Sequence, residues 1–222
     1  MQRMLDFLSV KEIPTLFWTS PKPLTIRPPL VSVVILLFGI SLFSLGEALL
    51  VVAGVGVSPW TVLAQGAAHT TGCSIGTATF IASLIVLMAW FPLKQVPGIG
   101  TVINAVVVAV ALDYALPYLP TFEAFYFKLA QAIMGIILIG LGSAIYLIAN
   151  LGPGPRDGLM TGLQKVTNFP MSVVRNSIEL TVVFCGWLLG GTLGVGTVLF
   201  ALSIGPFISM FMYWLKQFFS KI

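Results

Sequence analysis

The sequence GIGTV at residues 98–102 recurs without a gap as GVGTV at residues 194–198, an offset of 96 residues. Further identical pairs in the same register are Gly39 and Gly135, Gly46 and Gly142, Gly56 and Gly152, Pro59 and Pro155, Leu63 and Leu159, and Gly66 and Gly162. A single register that runs through three separate blocks favours an internal duplication over chance matches in a Gly- and Leu-rich chain. We therefore expect two copies of one structural unit.

The composition indicates a polytopic integral membrane protein. Hydrophobic residues make up 58% of the 222 positions and charged residues only 8%, and the mean hydropathy is +1.03. A soluble domain has about 25% charged residues, so most of this surface is expected to face lipid. The Lys and Arg residues behind the net charge of +4 form no patch. The lipid bilayer is therefore the expected partner, and no nucleic acid is expected to bind.

Six segments are long and apolar enough to be predicted as membrane spans. They lie near residues 30–53, 75–92, 98–116, 126–149, 171–189 and 195–215. Two stretches, 59–71 and 155–167, are shorter, because a helix of this length reaches only about 20 Å and the hydrocarbon layer is about 30 Å thick. The predicted fold is an all-α membrane protein with six transmembrane helices, in which each half also holds one short re-entrant or interfacial helix.

The domain organisation and orientation follow from these spans. Residues 1–29 are predicted to be a cytoplasmic segment that can lie on the membrane surface, and residues 30–222 a single transmembrane domain with repeats at about 30–116 and 126–215. With both termini in the cytoplasm, Lys128 is the only Lys or Arg expected near the outer side. Since each half has three spans, the second half enters from the opposite side, and the fold is a 3+3 inverted repeat.

The two short segments are predicted to carry the binding site. Each has a polar stripe at four-residue spacing, which is one face of a helix. The stripe residues are Thr61, Gln65 and His69 in the first half and Asp157, Thr161 and Lys165 in the second. In one interpretation both short helices dip into the membrane and their stripes face a shared wet cavity; in the other, they lie flat in the interface with the stripes towards water. The repeat favours the cavity.

The start of the second short helix is suited to an anion. Pro59 and Pro155 fit the first turn of a helix, where free N–H groups attract negative charge. Arg156 adds a fixed positive charge at that point.

Charged and polar residues within the spans are candidates for coupling ions or for ion pairs. Arg175 and Glu179 are four residues apart and can pair on one helix face. Glu47 is a candidate to bind a proton or cation, or to pair with Arg156 or Arg175 across the bundle. Asn104 is expected to link helices by a hydrogen bond, and Asp113, near the end of the third span, is expected to be solvated.

Three stretches of the sequence resemble a known family. They are the run GPGPRDGLMTGL at residues 152–163 with Arg175 and Glu179 after it, its counterpart SPWTVL at 58–63, and PGIGT at 97–101 with Asn104. Together they resemble the bacterial YczE/YitT-type integral membrane proteins. The resemblance implies a location in the bacterial cytoplasmic membrane. Because the chain ends just after the sixth predicted span, we expect it to lack the soluble C-terminal domain of YitT-type members, which makes the YczE-like branch the closer match.

The leading functional hypothesis is a small secondary transporter or permease for a small polar solute, with an anion favoured slightly. In this hypothesis Arg156, Arg175 and Lys165 hold the solute, and Glu47, Asp157 or Glu179 couples protons or cations. The alternative is a non-transporting membrane scaffold or the substrate-binding subunit of a larger complex. A homo-oligomer or a membrane partner is compatible with both hypotheses.

An enzyme is not expected, because the sequence contains no nucleophile–base pair and no phosphate-binding loop. His69 is the only histidine, so a multi-histidine metal site is excluded. We predict no metal and no cofactor.

Overall fold

A computed structural model of the protein describes residues 13–219, and the regular secondary structure in that range is helical. The helices are α1 (Leu30–Ala53), α2 (Pro59–Thr71), α3 (Ile75–Trp90), α4 (Ile99–Ala115), α5 (Phe125–Ile148), α6 (Pro155–Thr167), α7 (Met171–Leu188) and α8 (Val195–Phe219). Residues 13–29 have no helix. The first twelve residues of the predicted surface segment lie outside the described part of the chain.

Four helices are long and apolar enough to cross a membrane: α1, α4 with the 3-10 turn that follows it, α5 and α8. Helices α2 and α3 meet at an angle of 114° and add a fifth span if the bent pair is counted as one. Helix α7 has 18 residues, but it includes Arg175 and Glu179, which lower its hydropathy. Length and composition therefore support four or five spans, and six spans remain a prediction.

The short helices α2 and α6 have the bounds that the sequence predicts. Each begins with proline at its first position, where the missing N–H has no helical partner to lose. Each ends at a residue in the left-handed conformation, Gly72 (φ 75°) and Asn168 (φ 56°), which stops the helix.

The backbone conformation repeats with the same 96-residue offset as the sequence. Within residues 13–219, every residue with positive φ has a counterpart with positive φ in the other half. The pairs are Gly54 and Asn150, Gly56 and Gly152, Gly72 and Asn168, and Lys94 and Gly190.

Two backbone hydrogen bonds connect the halves at counterpart positions. The N–H of Gly196 donates to the carbonyl of Val55 at 2.8 Å, and the N–H of Gly100 donates to the carbonyl of Leu151 at 2.7 Å. Each bond joins the linker before a short helix to the first turn of a helix in the opposite half. Each bond satisfies one carbonyl of an irregular linker inside the protein, as a membrane interior requires.

Helices α1 and α5 form the central contact of the bundle through closely packed glycines. Gly39 packs on Gly142 and Gly46 packs on Gly135, so the two helices run antiparallel. A Cβ atom at Gly46 would lie 2.6 Å from the carbonyl oxygen of Gly135. Small residues allow this close approach of two membrane helices.

The two halves differ where their last two helices meet. Helices α3 and α4 pack along each other, whereas α7 and α8 have almost no contact. The Asp113 carboxylate, which is partly exposed, accepts hydrogen bonds from the Ser74 hydroxyl and, at 2.7 Å, from the N–H of Gly76. Asp113 thus ties α4 to the free N–H groups at the start of α3. Its counterpart in α8 is Ser209.

A candidate solute-binding cavity

A cavity of about 330 Å³ lies between the helices, within the range of roughly 300–1,000 Å³ that is usual for small-molecule sites. Each of the helices α1–α8 contributes residues to the lining. The polar lining residues are Glu47, Ser58, Thr79, Ser83, Asn104, Ser143, Tyr146, Arg156, Asp157, Arg175, Glu179 and Ser209. Apolar side chains such as Phe43 and Phe200 complete the wall.

The N-termini of the two short helices meet in this cavity. The guanidinium carbon of Arg156 lies 5.2 Å from the ring centre of Trp60, within the range of a cation–π contact. Arg156 and Trp60 are themselves counterparts at the 96-residue offset. The indole N–H of Trp60 is buried and has no hydrogen-bond partner among the described residues. A buried donor without a partner is costly, so this one is suited to an acceptor on a bound ligand.

Glu47 lies in a niche formed by two hydroxyl groups. Its side chain is only 2% exposed. The Thr61 hydroxyl lies 2.7 Å from Glu47 Oε2, and the Ser58 hydroxyl lies 2.9 Å from Oε1 and 2.8 Å from Oε2. Although Ser58 precedes α2 and is in position to cap it, its side chain makes no capping bond because it faces Glu47 instead.

The remaining charges of the cavity come from α6 and α7. The Tyr146 hydroxyl donates to Asp157 Oδ2 at 3.3 Å. Arg175 Nε and Glu179 Oε1 are 2.7 Å apart, the i,i+4 pair that the sequence suggests. Arg156 interacts electrostatically with both Glu47 and Asp157. No carboxylate lies within 4.0 Å of it among the described residues.

Trp90 fixes the position of the α6 N-terminus. Its indole N–H donates to the carbonyl of Pro155 at 2.9 Å, and its ring lies against Gly158, where no side chain would fit. The counterparts of Trp90 and Gly158 are Gly186 and Val62, which also contact each other. In the first contact the glycine lies on the short helix α6 and the larger residue on α3, whereas in the second the glycine lies on α7 and the larger residue on the short helix α2.

The structure brings some of the predicted site residues together and leaves others apart. Those that line the cavity are Glu47, Asn104, Arg156, Asp157, Arg175 and Glu179. Thr61 lies behind this lining, bonded to Glu47. Those outside the lining are Gln65, His69, Thr161 and Lys165.

The four residues outside the lining lie further along the short helices. Gln65 accepts a hydrogen bond from the N–H of Thr192 at 3.1 Å, and His69 is exposed beside Gly190. The Thr161 hydroxyl donates to the carbonyl of Gly158 within its own helix, and Lys165 is exposed. The short helices thus contribute their N-terminal residues and Met160 of α6 to the cavity, and not the whole polar stripe.

Sequence reasoning did not assign Ser58, Trp60, Ser143 and Tyr146 to the site. Three of them could have been found from the sequence, because they lie at the 96-residue offset from residues near the predicted site. Ser143 is the counterpart of Glu47, Trp60 that of Arg156, and Ser58 that of Gly154. Tyr146 has no such signal, since its counterpart is Leu50.

The apolar helices and the charged internal cavity define a small all-helical membrane protein. The chain belongs to the family described as "Family of unknown function (DUF6198)", which matches residues 30–213. It is 41% identical to an uncharacterized protein of Haemophilus influenzae over 91% of this chain and 92% of that one.

Two further relatives come from Bacillus subtilis. The chain is 35% identical to the uncharacterized membrane protein YczE over 78% of both chains, and 26% identical to the uncharacterized protein YyaS over 78% of this chain and 89% of the other. No solved structure matches. The YczE-like resemblance is therefore confirmed.

Proposed function

We propose that the protein is a secondary transporter of the bacterial cytoplasmic membrane, which carries a small polar solute with an anionic group by alternating access of two inverted halves. The observation that carries the proposal is the contact between Arg156 and Trp60, which brings the N-termini of both short helices into one internal cavity. Discontinuous helices whose N-termini point at an anionic solute group, at the interface of inverted repeats, are a recurring transporter design.

Three features support the duplication of the halves, and the first of them supports their inverted relation. Helices α1 and α5, which are counterparts, run antiparallel. The residues with positive φ occur in pairs at one offset. The linker bonds of Gly196 and Gly100 are likewise exchanged between the halves. A two-fold axis in the membrane plane accounts for all three, and it implies the six-span topology with both termini on one side.

Alternating access is supported by the difference between the ends of the halves. Helices α3 and α4 are closed on each other and held by Asp113, while their counterparts α7 and α8 are apart beside the cavity. In an inverted repeat, exchange of these two arrangements moves the opening to the other side of the membrane.

An anionic group on the solute is supported by the donors that lack partners. Arg156 has no carboxylate within 4.0 Å, and the indole N–H of Trp60 has no acceptor, among the described residues. The first turns of α2 and α6 add backbone N–H groups that attract negative charge. A planar guanidinium is suited to a carboxylate, to which it can donate two parallel hydrogen bonds.

The test is uptake of labelled lactate, succinate and glutamate into proteoliposomes that contain the purified protein. We expect uptake of at least one of them, and Arg156→Gln should weaken it by about 10- to 100-fold, since a hydrogen bond to a charged group contributes about 1.5–3 kcal/mol. Lys165→Gln is the matched control. It removes the same charge from the same helix at an exposed position and should leave uptake unchanged.

Two results would contradict the proposal. One is the absence of flux for all three solutes in liposomes with correctly folded protein, which would favour a non-transporting scaffold or subunit. The other is an equal loss of uptake in both variants, which would indicate a general effect of positive charge and not a site at Arg156.

A further inference from the structure

Glu47 is a buried carboxylate whose direct hydrogen-bond partners are neutral. Among the described residues, no Lys, Arg or His nitrogen lies within 4.0 Å of it. Its direct partners are the hydroxyls of Ser58 and Thr61, which can each donate one hydrogen. A charged carboxylate at membrane depth is costly unless it is paired. A proton from the cavity would remove that cost.

Few titratable groups face Glu47 across the cavity. Helix α6 contributes Arg156 and Asp157, α5 contributes Tyr146, and α7 contributes Arg175 and Glu179, which pair with each other. The linings from α2, α3, α4 and α8 add hydroxyls, an amide and apolar groups, with no titratable side chain. Arg156 is therefore the one cation of this lining that is not bonded to a carboxylate, and Glu47 is one of the carboxylates whose charge acts on it.

We infer that Glu47 is the proton-coupling site of the transporter and that it competes with the solute for Arg156. This inference rests on the proposed function. When Glu47 carries a proton it no longer attracts Arg156, so the guanidinium is free to bind the anionic group of the solute. By linkage, a bound anion favours the proton on Glu47 by the same factor. The proton comes from water on one side, binds a carboxylate oxygen and leaves on the other; no other covalent bond changes.

The composition of the niche favours a proton over a metal cation. The hydroxyl and carboxylate oxygens are 2.7–3.0 Å apart, which are the lengths of O–H···O hydrogen bonds. Glu47 is the one carboxylate of the niche, and among the described residues no three His, Cys, Asp or Glu side chains come together to hold a metal ion. A proton needs only one carboxylate oxygen.

The first experiment detects the proton directly and needs no solute. Infrared difference spectra of the protein in nanodiscs, recorded between two pH values that both lie above the usual carboxyl pKa of about 4, should show the C=O stretch of a protonated carboxyl group that is not exposed. We expect that band to be lost in Glu47→Gln and kept in Glu123→Gln, which removes an exposed carboxylate. Persistence of the full band in Glu47→Gln would overturn the inference, whatever the protein transports.

The second experiment measures coupling in proteoliposomes with whichever of lactate, succinate or glutamate the wild-type protein carries. For a monovalent anion that moves with one proton, a gradient of one pH unit supports about tenfold accumulation. Glu47→Gln, which resembles the protonated side chain, should still bind and exchange the solute but accumulate it only to the outside concentration. Proton-driven accumulation at the wild-type level in Glu47→Gln would refute the coupling role, while failure of every solute in the wild type would refute only the proposed function.

Discussion

Gly46→Ala is expected to lower the free energy of unfolding by about 1–3 kcal/mol, the usual cost of overpacking a well-packed interior. The new methyl group would lie 2.6 Å from the carbonyl oxygen of Gly135 and 2.8 Å from the backbone nitrogen of Ile139. Both neighbours are backbone atoms, so no rotamer change relieves the contact, and α1 must move away from α5. Unfolding of the purified protein in mixed micelles by added denaturing detergent measures the change.

Gly205→Ala is the matched control for this substitution. Gly205 also lies within a helix, and a Cβ atom there meets no atom within 4 Å. Helix propensity favours alanine by about 0.8–1.0 kcal/mol in both cases. At position 205 there is no steric cost against another helix, and only the following Pro206, which disfavours a helical residue with a Cβ before it, opposes the gain. Equal stability of Gly46→Ala and Gly205→Ala would show that the α1–α5 contact does not determine stability.

The bounds of the short helices and the duplication of the chain were predictable because the residues that start and end these helices are local signals. Pro59 and Pro155 mark the starts of the short helices, and their bounds agree with the sequence prediction. The repeated glycines at offset 96 likewise predicted a duplicated chain, and the backbone of the structure repeats at that offset. What the sequence does not determine is how helices pair, since Gly46 reads as a packing residue whatever helix it contacts.

A cysteine at position 205 is expected to react with a membrane-impermeant maleimide about 10- to 1,000-fold faster than a cysteine at position 109. The two positions are counterparts in α8 and α4. Ala109 is buried, 6% exposed, against α3, whereas Gly205 lines the cavity beside the gap between α7 and α8. The factor follows if the opposite conformation is populated at roughly 0.1–10%. Labelling of Gly205→Cys and Ala109→Cys, with Cys73 and Cys185 replaced by serine, measures it.

The same labelling experiment in protein that also carries Asp113→Ala tests whether the closed and open arrangements alternate between the α3–α4 pair and the α7–α8 pair. Without its carboxylate, the bonds to Ser74 and Gly76 are lost, and the closed α3–α4 arrangement is less stable. We expect labelling to increase at position 109 and to decrease at position 205. An increase at both positions would indicate local unfolding. Equal labelling rates at the two positions before Asp113 is replaced would show that the gap beside α8 is covered in the membrane.

The site was less predictable than the fold, because its residues come together from every helix. The polar stripe through Thr61, Gln65 and His69 has the right spacing for a helix face, but only the first member reaches the cluster around Glu47. Asp113 reads as a solvated residue near a loop, although its partners lie on another helix at a distance in sequence that no local pattern encodes. Tyr146 binds Asp157 because the linker between α5 and α6 brings the last turn of one helix beside the first turn of the next.

The linker bonds also constrain the order in which the protein can be assembled. The carbonyl of Val55, in the linker before α2, accepts its hydrogen bond from the N–H of Gly196 in α8. The ribosome adds Gly196 only after helices α1–α7 have been made. Until then the carbonyl of Val55 has no donor from α8, and an unsatisfied group of this kind is unfavourable in a lipid environment. The hydrogen bonding of the linker before α2 is therefore complete only once α8 has been made.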